Sequence, residues 1–486
     1  MSDTLATPQQ KNFLMPGSRP LLVLIALCGL LLRIGGLNKP VEYDEAYTVV
    51  EFSSRSWWAV ISDYSLPNNH ILHSLLVRAS LLSFGQHAWS IRLPALLAGL
   101  GMIVAAYFLG KALYSRETGL VAAALVAYFP EMLRFSTSAR GYTLVGLFSL
   151  LIFWLAQRAV RQPGPRNWIL MAVCSSLGLW TIPIMLYPAG GAYLWTALEG
   201  PRNRKFFAGW LASGLGTGLL TGLLYSPALV FSGWRRVLAN GFVQPVDAKK
   251  YFDWLLVSRL RDTWGSWTNH LPWLLTAILV GGFLLSLILH RKIGSSRWSL
   301  PLILLAECTL LVLTRRPEVF DRFWFWLLAP LLVWSAGGLV ETVRLLPGRR
   351  PIGPTVLIWL SVAGLVISTA ASLPQLTQNL DKVSNTQASA SYIAQQLQPG
   401  DVVLVGYPNN AALWYYLMEL GVPRTAWQAD ANAKRFLVLL ATNQRDESLE
   451  SIFKSYKLDP ARVDLANSIL LTEFGKIQIY SCPPLR

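Results

Sequence analysis

Three carboxylates fall within four residues of one another just after the first long apolar run of the chain, at Glu42, Asp44 and Glu45. Carboxylates crowded at a low-dielectric boundary repel one another, so one can be held as a general base, or two can share a divalent cation. Solvated loop acids without a chemical role are the alternative interpretation. The position beside a membrane boundary favours chemistry.

Two histidines follow at a spacing of three residues, His70 and His73. If a helix begins near His70, both imidazoles lie on one helical face. That spacing suits metal ligation or contact with a phosphate. Interfacial anchoring is the alternative for so short a motif.

Basic residues between apolar runs form the third signal. Guanidinium groups bind phosphate oxygens in pairs, and charged groups at membrane depth are costly and usually mark a function. A lipid phosphate is their natural partner, and head-group binding without chemistry is the alternative. The basic residues predicted to lie outside the cytoplasm are Arg134, Arg140, Arg235, Arg236, Lys249, Lys250, Arg259, Arg261, Arg315, Arg316 and Arg322.

The elements that position these residues are apolar helices. The chain has 486 residues, of which 53% are hydrophobic and 14% charged, whereas soluble domains carry about 25% charged residues. This composition predicts an α-helical polytopic membrane protein with about eleven transmembrane helices. The predicted spans are Leu21–Leu37, Leu93–Leu109, Gly119–Leu133, Tyr142–Ala156, Trp168–Trp180, Ile182–Leu198, Phe206–Phe231, Leu271–Leu289, Leu300–Leu313, Phe323–Val343 and Thr355–Leu373.

The distribution of charge predicts the orientation of these spans. A cytoplasmic N-terminus places short, basic loops inside, as the positive-inside rule requires. Two long loops, 38–92 and 232–270, then lie outside. The net charge of +16 is dispersed between apolar runs, which argues against nucleic-acid binding. The apolar stretch Ile71–Phe84 is interpreted as an amphipathic helix in the outer interface, and Ser54–Tyr64 similarly.

The C-terminal part of the chain is more polar and predicts a second domain. Residues 1–374 form the transmembrane domain, and residues 375–486 form a small extracytoplasmic α/β domain. Strand-like runs at Val402–Val405 and Phe436–Leu440 alternate with helix-like segments at Asn410–Leu420 and Glu447–Tyr456. The four cysteines are scattered and indicate neither a disulfide framework nor a zinc site.

The acidic motif Tyr43-Asp44-Glu45 resembles that of the GT-C membrane glycosyltransferases. The likeness is to the protein O-mannosyltransferase and aminoarabinose-transferase (PMT-type) superfamily, and it extends roughly from Pro40 to Leu150 through the Ala139-Arg140-Gly141-Tyr142 segment. A weaker likeness covers Asp321-Arg322-Phe323 to Pro330. Two departures are Ile71, where relatives carry a proline, and the lack of a lysine beside His70.

The resemblance implies an inverting glycosyltransferase that takes sugar from a polyprenyl-phosphate donor on the outer membrane face. It implies Asp44 as the catalytic base and Glu45 as its support or as a metal ligand. Use of a divalent metal such as Mg or Mn stays open. The residues implied to face the donor phosphate or line its cavity are His70, His73, Arg140, Tyr142 and Arg322. The leaving phosphate is already a stable anion, so it needs cationic contacts more than a general acid.

Two other functions compete with this one: a lipid-linked-glycan transporter or flippase, and a non-catalytic cell-envelope assembly protein. Grouping of carboxylates and arginines on one face favours the transferase. The expected location is the inner (plasma) membrane, with the active site and C-terminal domain on the periplasmic or extracellular side. The acceptor, whether lipid, glycan or protein, and the sugar are left open by the sequence.

Overall fold

A computed structural model describes residues 18–239, 244–345, 359, 362–367, 369–370, 380–442 and 447–485 of the chain. Within these ranges the protein is mostly helical, with several apolar helices and one small sheet near the C-terminus. This agrees with the helical membrane fold and C-terminal sheet that the sequence predicts. The eleventh predicted span, Thr355–Leu373, lies largely outside the described residues.

The membrane-domain helices follow the predicted spans along the chain. They are α1 (Ser18–Ile34), α2 (Tyr43–Tyr47), α3 (Trp57–Ser62), α4 (Ile71–Phe84), α5 (Ala88–Leu113), α6 (Arg116–Tyr128), α7 (Pro130–Ser136), α8 (Tyr142–Arg161), α9 (Pro165–Thr181), α10 (Leu186–Glu199), α11 (Arg204–Phe231), α12 (Trp234–Leu238), α13 (Ala248–Lys250), α14 (Leu256–Thr268), α15 (Trp273–Ile288), α16 (His290–Ile293), α17 (Leu300–Arg315) and α18 (Phe325–Arg344).

Several of these helices can cross a membrane. Within the part of the chain that the structure describes, four are long and apolar enough by themselves, or up to six if each of two sharply bent pairs is one span. The remaining apolar helices that coincide with predicted spans are shorter. The protein is therefore a multi-pass membrane protein, and the count of eleven spans stays a prediction.

Residues 38–92 are built mainly from short helices, and we call them the first outer segment after their predicted location. Helix α2 continues without a break into a π-helical turn, Thr48–Ser53. The serine side chain of Ser56 accepts a hydrogen bond from the Ala59 amide and so caps α3. Helix α4 occupies the stretch that the sequence assigns to an interfacial helix, Ile71–Phe84, and buries His73.

A sharp bend separates α6 from α7, where the chain turns by 62°. Pro130 begins α7 and cannot donate a backbone hydrogen bond. The fully buried Arg33 of α1 donates from Nη2 to the carbonyl oxygen of Val126, which Pro130 leaves without its helical donor, at 3.4 Å. Its Nη1 donates to the carbonyl oxygen of Ala127 at 2.8 Å. Free carbonyls at a helix C-terminus carry partial negative charge and attract a cation. The bend directs the chain towards the segment that carries Arg140.

The C-terminal domain contains a four-stranded mixed sheet. Strands β1 (Asp401–Val405) and β2 (Arg435–Ala441) are parallel, and β4 (Ile477–Cys482) pairs antiparallel with both β2 and β3 (Ile469–Phe474), which gives the order β1-β2-β4-β3. The helices of this domain are α19 (Leu380–Gln396), α20 (Asn410–Glu419) and α21 (Leu449–Ser455). The β3–β4 hairpin is absent from the sequence prediction.

The C-terminal domain packs against the first outer segment. Val41, Ala46 and Val50 share one buried apolar cluster with Leu413 and Tyr416 of α20. Polar contacts reinforce this packing. The Val41 amide donates to the Tyr416 hydroxyl at 2.9 Å, and the Gln86 side chain donates to the Tyr415 carbonyl at 3.0 Å. The domain therefore holds the segment that carries the acidic motif.

Candidate active site

Glu45 is fully buried, and its carboxylate is saturated with hydrogen bonds. Arg92 donates from Nε to Oε1 at 2.8 Å and from Nη2 to Oε2 at 2.6 Å. The Ala139 amide donates to Oε1 at 2.6 Å, and the Glu42 amide to Oε2 at 3.0 Å. A carboxylate has about four lone-pair sites, so all of them are occupied.

The charge of Glu45 is maintained by these contacts. Burial would raise the pKa of this carboxyl, but the Arg92 guanidinium and its hydrogen bonds outweigh burial and lower the pKa to about 2. Arg92 also donates to the carbonyl oxygens of Lys39 at 2.5 Å and Pro40 at 3.0 Å. Glu45 and Arg92, together with the Ala139 amide, therefore form a buried Glu45–Arg92 cluster that ties three segments together.

Asp44 has different surroundings although it is the next residue. Its side chain is 34% exposed and forms an ion pair with Arg322, with Nη1 3.1 Å from Oδ2. Arg322 is 41% exposed and lies on the 3₁₀ turn Asp321–Trp324 that leads into α18. A partly exposed pair of this kind can exchange partners, which a saturated buried pair cannot do readily.

Arg140 lies on the other side of α2 and is only 5% exposed. Its Nη1 donates to Thr48 Oγ1 at 2.9 Å and to the Asp44 carbonyl oxygen at 3.3 Å, and Nη2 donates to Asn68 Oδ1 at 2.5 Å. All of these partners are neutral, and Nε has no partner within the described ranges. A buried cation without a carboxylate beside it carries a desolvation cost that an incoming anion would offset.

The orientation of His70 follows from its neighbour Gly141. The Gly141 amide donates to His70 Nδ1 at 3.0 Å, so a neutral ring carries its proton on Nε2, a tautomer assigned from this bond. A side chain at Gly141 would crowd His70, because a Cβ there would lie 3.1 Å from the His70 Cβ. His70 Nε2 lies 3.3 Å from Arg140 Nη2. Two N–H donors thus converge where an anion could accept from both.

Both histidines are uncharged in this environment. Burial and the nearby Arg140 cation lower the pKa of His70 well below its usual value, and the same two causes lower the pKa of His73 to about 3. His73 is fully buried, and neither of its ring nitrogens has a hydrogen-bond partner among the residues described.

Tyr142 begins α8 and completes the group. Its ring packs edge-on against His70, with ring centroids 5.2 Å apart, and the Arg140 guanidinium lies 5.9 Å from the Tyr142 ring centroid. The structure therefore connects Arg322, Asp44, Arg140, His70 and Tyr142 through consecutive contacts. Glu45 and His73 are buried beside this group.

Several residues at the site are not evident from the sequence. Thr48 and Asn68 hold Arg140 in place. Glu131 is nearly buried and accepts from Arg134 at 2.5 Å, and Arg134 also lies 3.8 Å from Asp321, beside Arg322. Arg134 and its i−3 neighbour Glu131 carry a sequence signal, an opposite-charge pair at helical spacing.

Metal binding was left open by the sequence. Within the described part of the chain, no group of three or more His, Cys, Asp or Glu side chains is placed to hold a metal ion. The donor set of Glu45 does not fit a metal-ligand role, because each of its oxygens already accepts two hydrogen bonds.

Comparison with known proteins agrees with this fold. A family model described as dolichyl-phosphate-mannose-protein mannosyltransferase matches residues 68–231. A putative mannosyltransferase, YkcB of Bacillus subtilis, is 33% identical over 93 residues. That alignment covers 19% of this chain and 13% of the relative.

Solved structures of membrane glycosyltransferases share the fold. ArnT from Cupriavidus metallidurans bound to undecaprenyl phosphate matches with a TM-score of 0.64 over 96% of this chain and 98% of that chain, at 10% identity. The archaeal oligosaccharyltransferase AglB from Archaeoglobus fulgidus, in complex with an inhibitory peptide and a dolichol-phosphate, matches with a TM-score of 0.55 over 86% of this chain and 69% of that chain, at 11% identity.

The fold is therefore that of these GT-C membrane glycosyltransferases. Within this fold, the family match and the relatives confirm the predicted likeness to the PMT-type superfamily.

Proposed function

We propose that the protein transfers a sugar from a polyprenyl-phosphate donor to a hydroxyl acceptor on the outer membrane face, with inversion at the anomeric carbon. Asp44 is the base in this proposal, and Arg140 and Arg322 bind the donor phosphate. Two relatives of the same fold support the donor class, since one is bound to undecaprenyl phosphate and the other to a dolichol-phosphate.

The observation that carries the proposal is the contact between Asp44 and two arginines distant in sequence. Arg322, 278 positions away, reaches the Asp44 carboxylate, and Arg140, 96 positions away, reaches the Asp44 carbonyl oxygen. A carboxylate that can accept a proton thus lies beside cations that can hold a phosphate. Transfer from a lipid phosphate needs this combination.

The proposed step is a single displacement. The acceptor oxygen attacks the anomeric carbon as the bond from that carbon to the phosphate oxygen breaks. Asp44 takes the proton of the acceptor hydroxyl, and the polyprenyl phosphate leaves as an anion held by Arg140, with the Nε2 proton of His70 as a second donor. A hydroxyl that attacks opposite the leaving phosphate inverts the anomeric centre.

Arg322 makes proton removal by Asp44 depend on whether the donor is bound. In the absence of donor its guanidinium pairs with Asp44 at 3.1 Å, and this contact occupies Oδ2 of the carboxylate. A donor phosphate competes for the same guanidinium. Donor binding therefore releases Asp44 to act on the acceptor, so that the base becomes effective once the sugar is in place.

Glu45 has a positioning role in this proposal. Its saturated carboxylate fixes the start of α2 against α5 and the Ala139 amide. Because Asp44 precedes Glu45 and Arg140 follows Ala139, the Glu45–Arg92 cluster sets the distance between base and phosphate-binding cation. Glu45 acts through its neighbours and contacts neither substrate.

Purified full-length protein in detergent tests the proposal with a labelled polyprenyl-phosphate hexose and a panel of lipid, glycan and peptide acceptors. Asp44→Asn is expected to reduce transfer roughly 10²–10⁴-fold, the usual contribution of a general base. Equal rates in both proteins would remove Asp44 from the mechanism. Binding of lipid phosphate without any transfer across the panel would favour the transporter or assembly-protein functions.

A further inference from the structure

A pocket of about 300 Å³ lies between the first outer segment and the C-terminal domain. We call it the interdomain pocket, and it is lined by Asn38, Lys39, His87, Trp89, Gln387, Tyr416 and Glu419, among others. Its volume is at the lower end of the roughly 300–1,000 Å³ range of small-molecule sites. Neither Arg140 nor Arg322 lines it, so it is separate from the proposed phosphate-binding group.

The walls of the interdomain pocket are fixed by contacts outside it. Arg92 donates to the carbonyl oxygen of Lys39 at 2.5 Å and thereby holds one wall. The opposite wall is held by Tyr416, whose hydroxyl accepts from the Val41 amide at 2.9 Å. A pocket whose walls are already ordered loses little entropy when a ligand binds.

The pocket lining includes two nearly parallel aromatic rings. The His87 ring stacks on the Trp89 ring, with centroids 6.2 Å apart and an interplanar angle of 12°. Trp89 also packs against Phe84 at 5.5 Å between centroids. Indole and imidazole faces provide large, rigid contact area for the C–H faces of a ring-shaped ligand.

The remaining lining residues offer hydrogen bonds that are not used within the protein. The Tyr416 hydroxyl accepts from Val41, which leaves its own hydrogen free to donate. The Glu419 carboxylate has no hydrogen bond or ion pair among the described residues. Burial raises the pKa of Glu419, and nearby His87 partly opposes this rise. Glu419 is an exposed lining residue, so its carboxylate oxygens can accept hydrogen bonds from the hydroxyl groups of a ligand.

The charges of the interdomain pocket are balanced. Lys39 contributes one cation, Glu419 one anion, and the amides of Asn38 and Gln387 are neutral. A ligand with net charge would be repelled by one of the two ions. A neutral ligand with several hydroxyl groups can donate to Glu419 and accept from Lys39 and Tyr416.

We propose that the interdomain pocket binds an uncharged, hydroxyl-rich sugar ring, stacked on His87 and Trp89 and hydrogen-bonded to Glu419. Its assignment as a sugar of the acceptor rests on the proposed transfer reaction, because the donor phosphate site lies elsewhere. Sugar binding itself does not depend on that reaction. The C-terminal domain would then select the acceptor while α2 supplies the base.

Saturation-transfer NMR on full-length protein in nanodiscs tests this proposal, with the methyl glycosides of mannose, glucose and galactose as probes. At least one is expected to bind the wild type at millimolar concentration. Glu419→Ala is expected to weaken that binding about tenfold or more, as for loss of a hydrogen bond to a charged group, and Trp89→Ala to weaken it as well. Glu450→Ala, an exposed acid on α21 paired with Lys454, is the matched control and should bind as wild type.

Asp44→Asn separates this proposal from the proposed function. Retained sugar binding in Asp44→Asn supports a pocket distinct from the transfer site, and its loss would overturn that distinction. If Glu419→Ala does not fold, Gln387→Ala on the exposed face of α19 replaces it. The proposal is overturned if Glu419→Ala (or its replacement) and Trp89→Ala both bind the sugar as tightly as the wild type. It is also overturned if the wild type binds none of the probes. Sugar binding by a protein that transfers no sugar would leave the pocket intact and remove only its assignment to an acceptor.

Discussion

The carboxylate of Asp44 is one-third exposed and faces Arg322, whereas that of Glu45, the next residue, is fully buried against Arg92. Consecutive residues on a helix point about 100° apart, so α2 directs one acid to the open site and the other into the protein. The Glu45 oxygens accept four hydrogen bonds, whereas among the described residues the Asp44 carboxylate makes one polar contact, the ion pair with Arg322.

This difference shows that two acids of one motif can have separate tasks. A buried ion pair with all its hydrogen bonds satisfied gives a fixed geometry, and removal of one partner leaves an uncompensated charge. A partly exposed pair contributes little to stability and remains available for chemistry. The two sites can therefore be separated by measuring activity and stability in the same variants.

The largest expected effect is a contrast between the two acids, in which replacing Asp44 removes activity and replacing Glu45 removes stability. Asp44→Asn should abolish most transfer with little change in the thermal unfolding midpoint in detergent. Glu45→Gln should destabilise the protein by about 3–5 kcal/mol, because Arg92 keeps its charge in a buried site. Activity assays and thermal unfolding of both variants check this prediction.

The double variant Glu45→Met/Arg92→Leu is the control for that comparison. Replacing both charges with apolar side chains of similar size is expected to restore part of the lost stability. A Glu45→Gln protein as stable as wild type would contradict the structural role assigned to the Glu45–Arg92 cluster.

Arg322→Gln tests the partly exposed ion pair of Asp44, in which a donor phosphate can take the place of the carboxylate on Arg322. Loss of a charge-assisted hydrogen bond to the donor phosphate, worth about 1.5–3 kcal/mol, should raise the donor KM roughly 10–100-fold. Initial rates at varied donor concentration measure it. Arg235→Gln, an exposed arginine of the second outer loop, should leave the donor KM unchanged. An unaltered donor KM in Arg322→Gln would place the phosphate elsewhere.

The pH dependence of the free energy of unfolding tests the buried groups His73, His70 and Glu45. The pKa of His73 is about 3 in the folded protein, below its usual 6.5, so the unfolded chain binds more protons between these values. Stability is therefore complete above about pH 6.5 and falls with decreasing pH, by up to ~1.4 kcal/mol per pH unit for this group. His70 contributes in the same direction, and Glu45 adds a similar loss between its usual pKa of 4.5 and about 2.

His73→Gln should flatten this dependence. Thermal unfolding midpoints measured from about pH 7.5 to about pH 5 should fall less steeply in the variant than in wild type. Parallel curves for the two proteins would show that the pKa of His73 is the same in the folded and unfolded protein, contrary to the effect expected from its burial.

The smallest effect is expected for the third acid of the motif. The Glu42 side chain is 53% exposed and pairs with Lys39 at 3.4 Å, while its backbone stands at the N-cap of α2. Glu42→Gln should change the free energy of unfolding by less than about 0.5 kcal/mol and leave transfer intact. Chemical denaturation and the transfer assay measure both, and a large loss of activity would extend the catalytic group to Glu42.

Local patterns in the sequence were sufficient for much of the fold. Uninterrupted apolar runs predicted the long helices, and the stretch Ile71–Phe84 was found as one helix, α4. The alternating runs Val402–Val405 and Phe436–Leu440 correspond to β1 and β2. These elements depend on periodicity within a few residues, which a single sequence records.

The β3–β4 hairpin and the burial of Glu45 were not predicted from the sequence. The β3–β4 hairpin carries its own signal, two β-prone runs around Gly475, which has a φ of 59°. The burial of Glu45 has no such local sign, because its partners Arg92 and Ala139 lie 47 and 94 positions away. The sequence predicted Asp44 and Glu45 as a pair, and only tertiary contacts distinguish their surroundings.

The packing of the C-terminal domain has a consequence for how the protein is made. Val41 is secured by Tyr416, which lies 375 positions later in the chain and is therefore synthesised after it. Ser54 is secured by Arg424, 370 positions later. The segment that carries the acidic motif therefore leaves the ribosome about 370 residues before the side chains that secure it. A nascent chain lacks these contacts until residues 416–424 have been made, so the proposed sugar transfer could begin only after this part of the chain has folded.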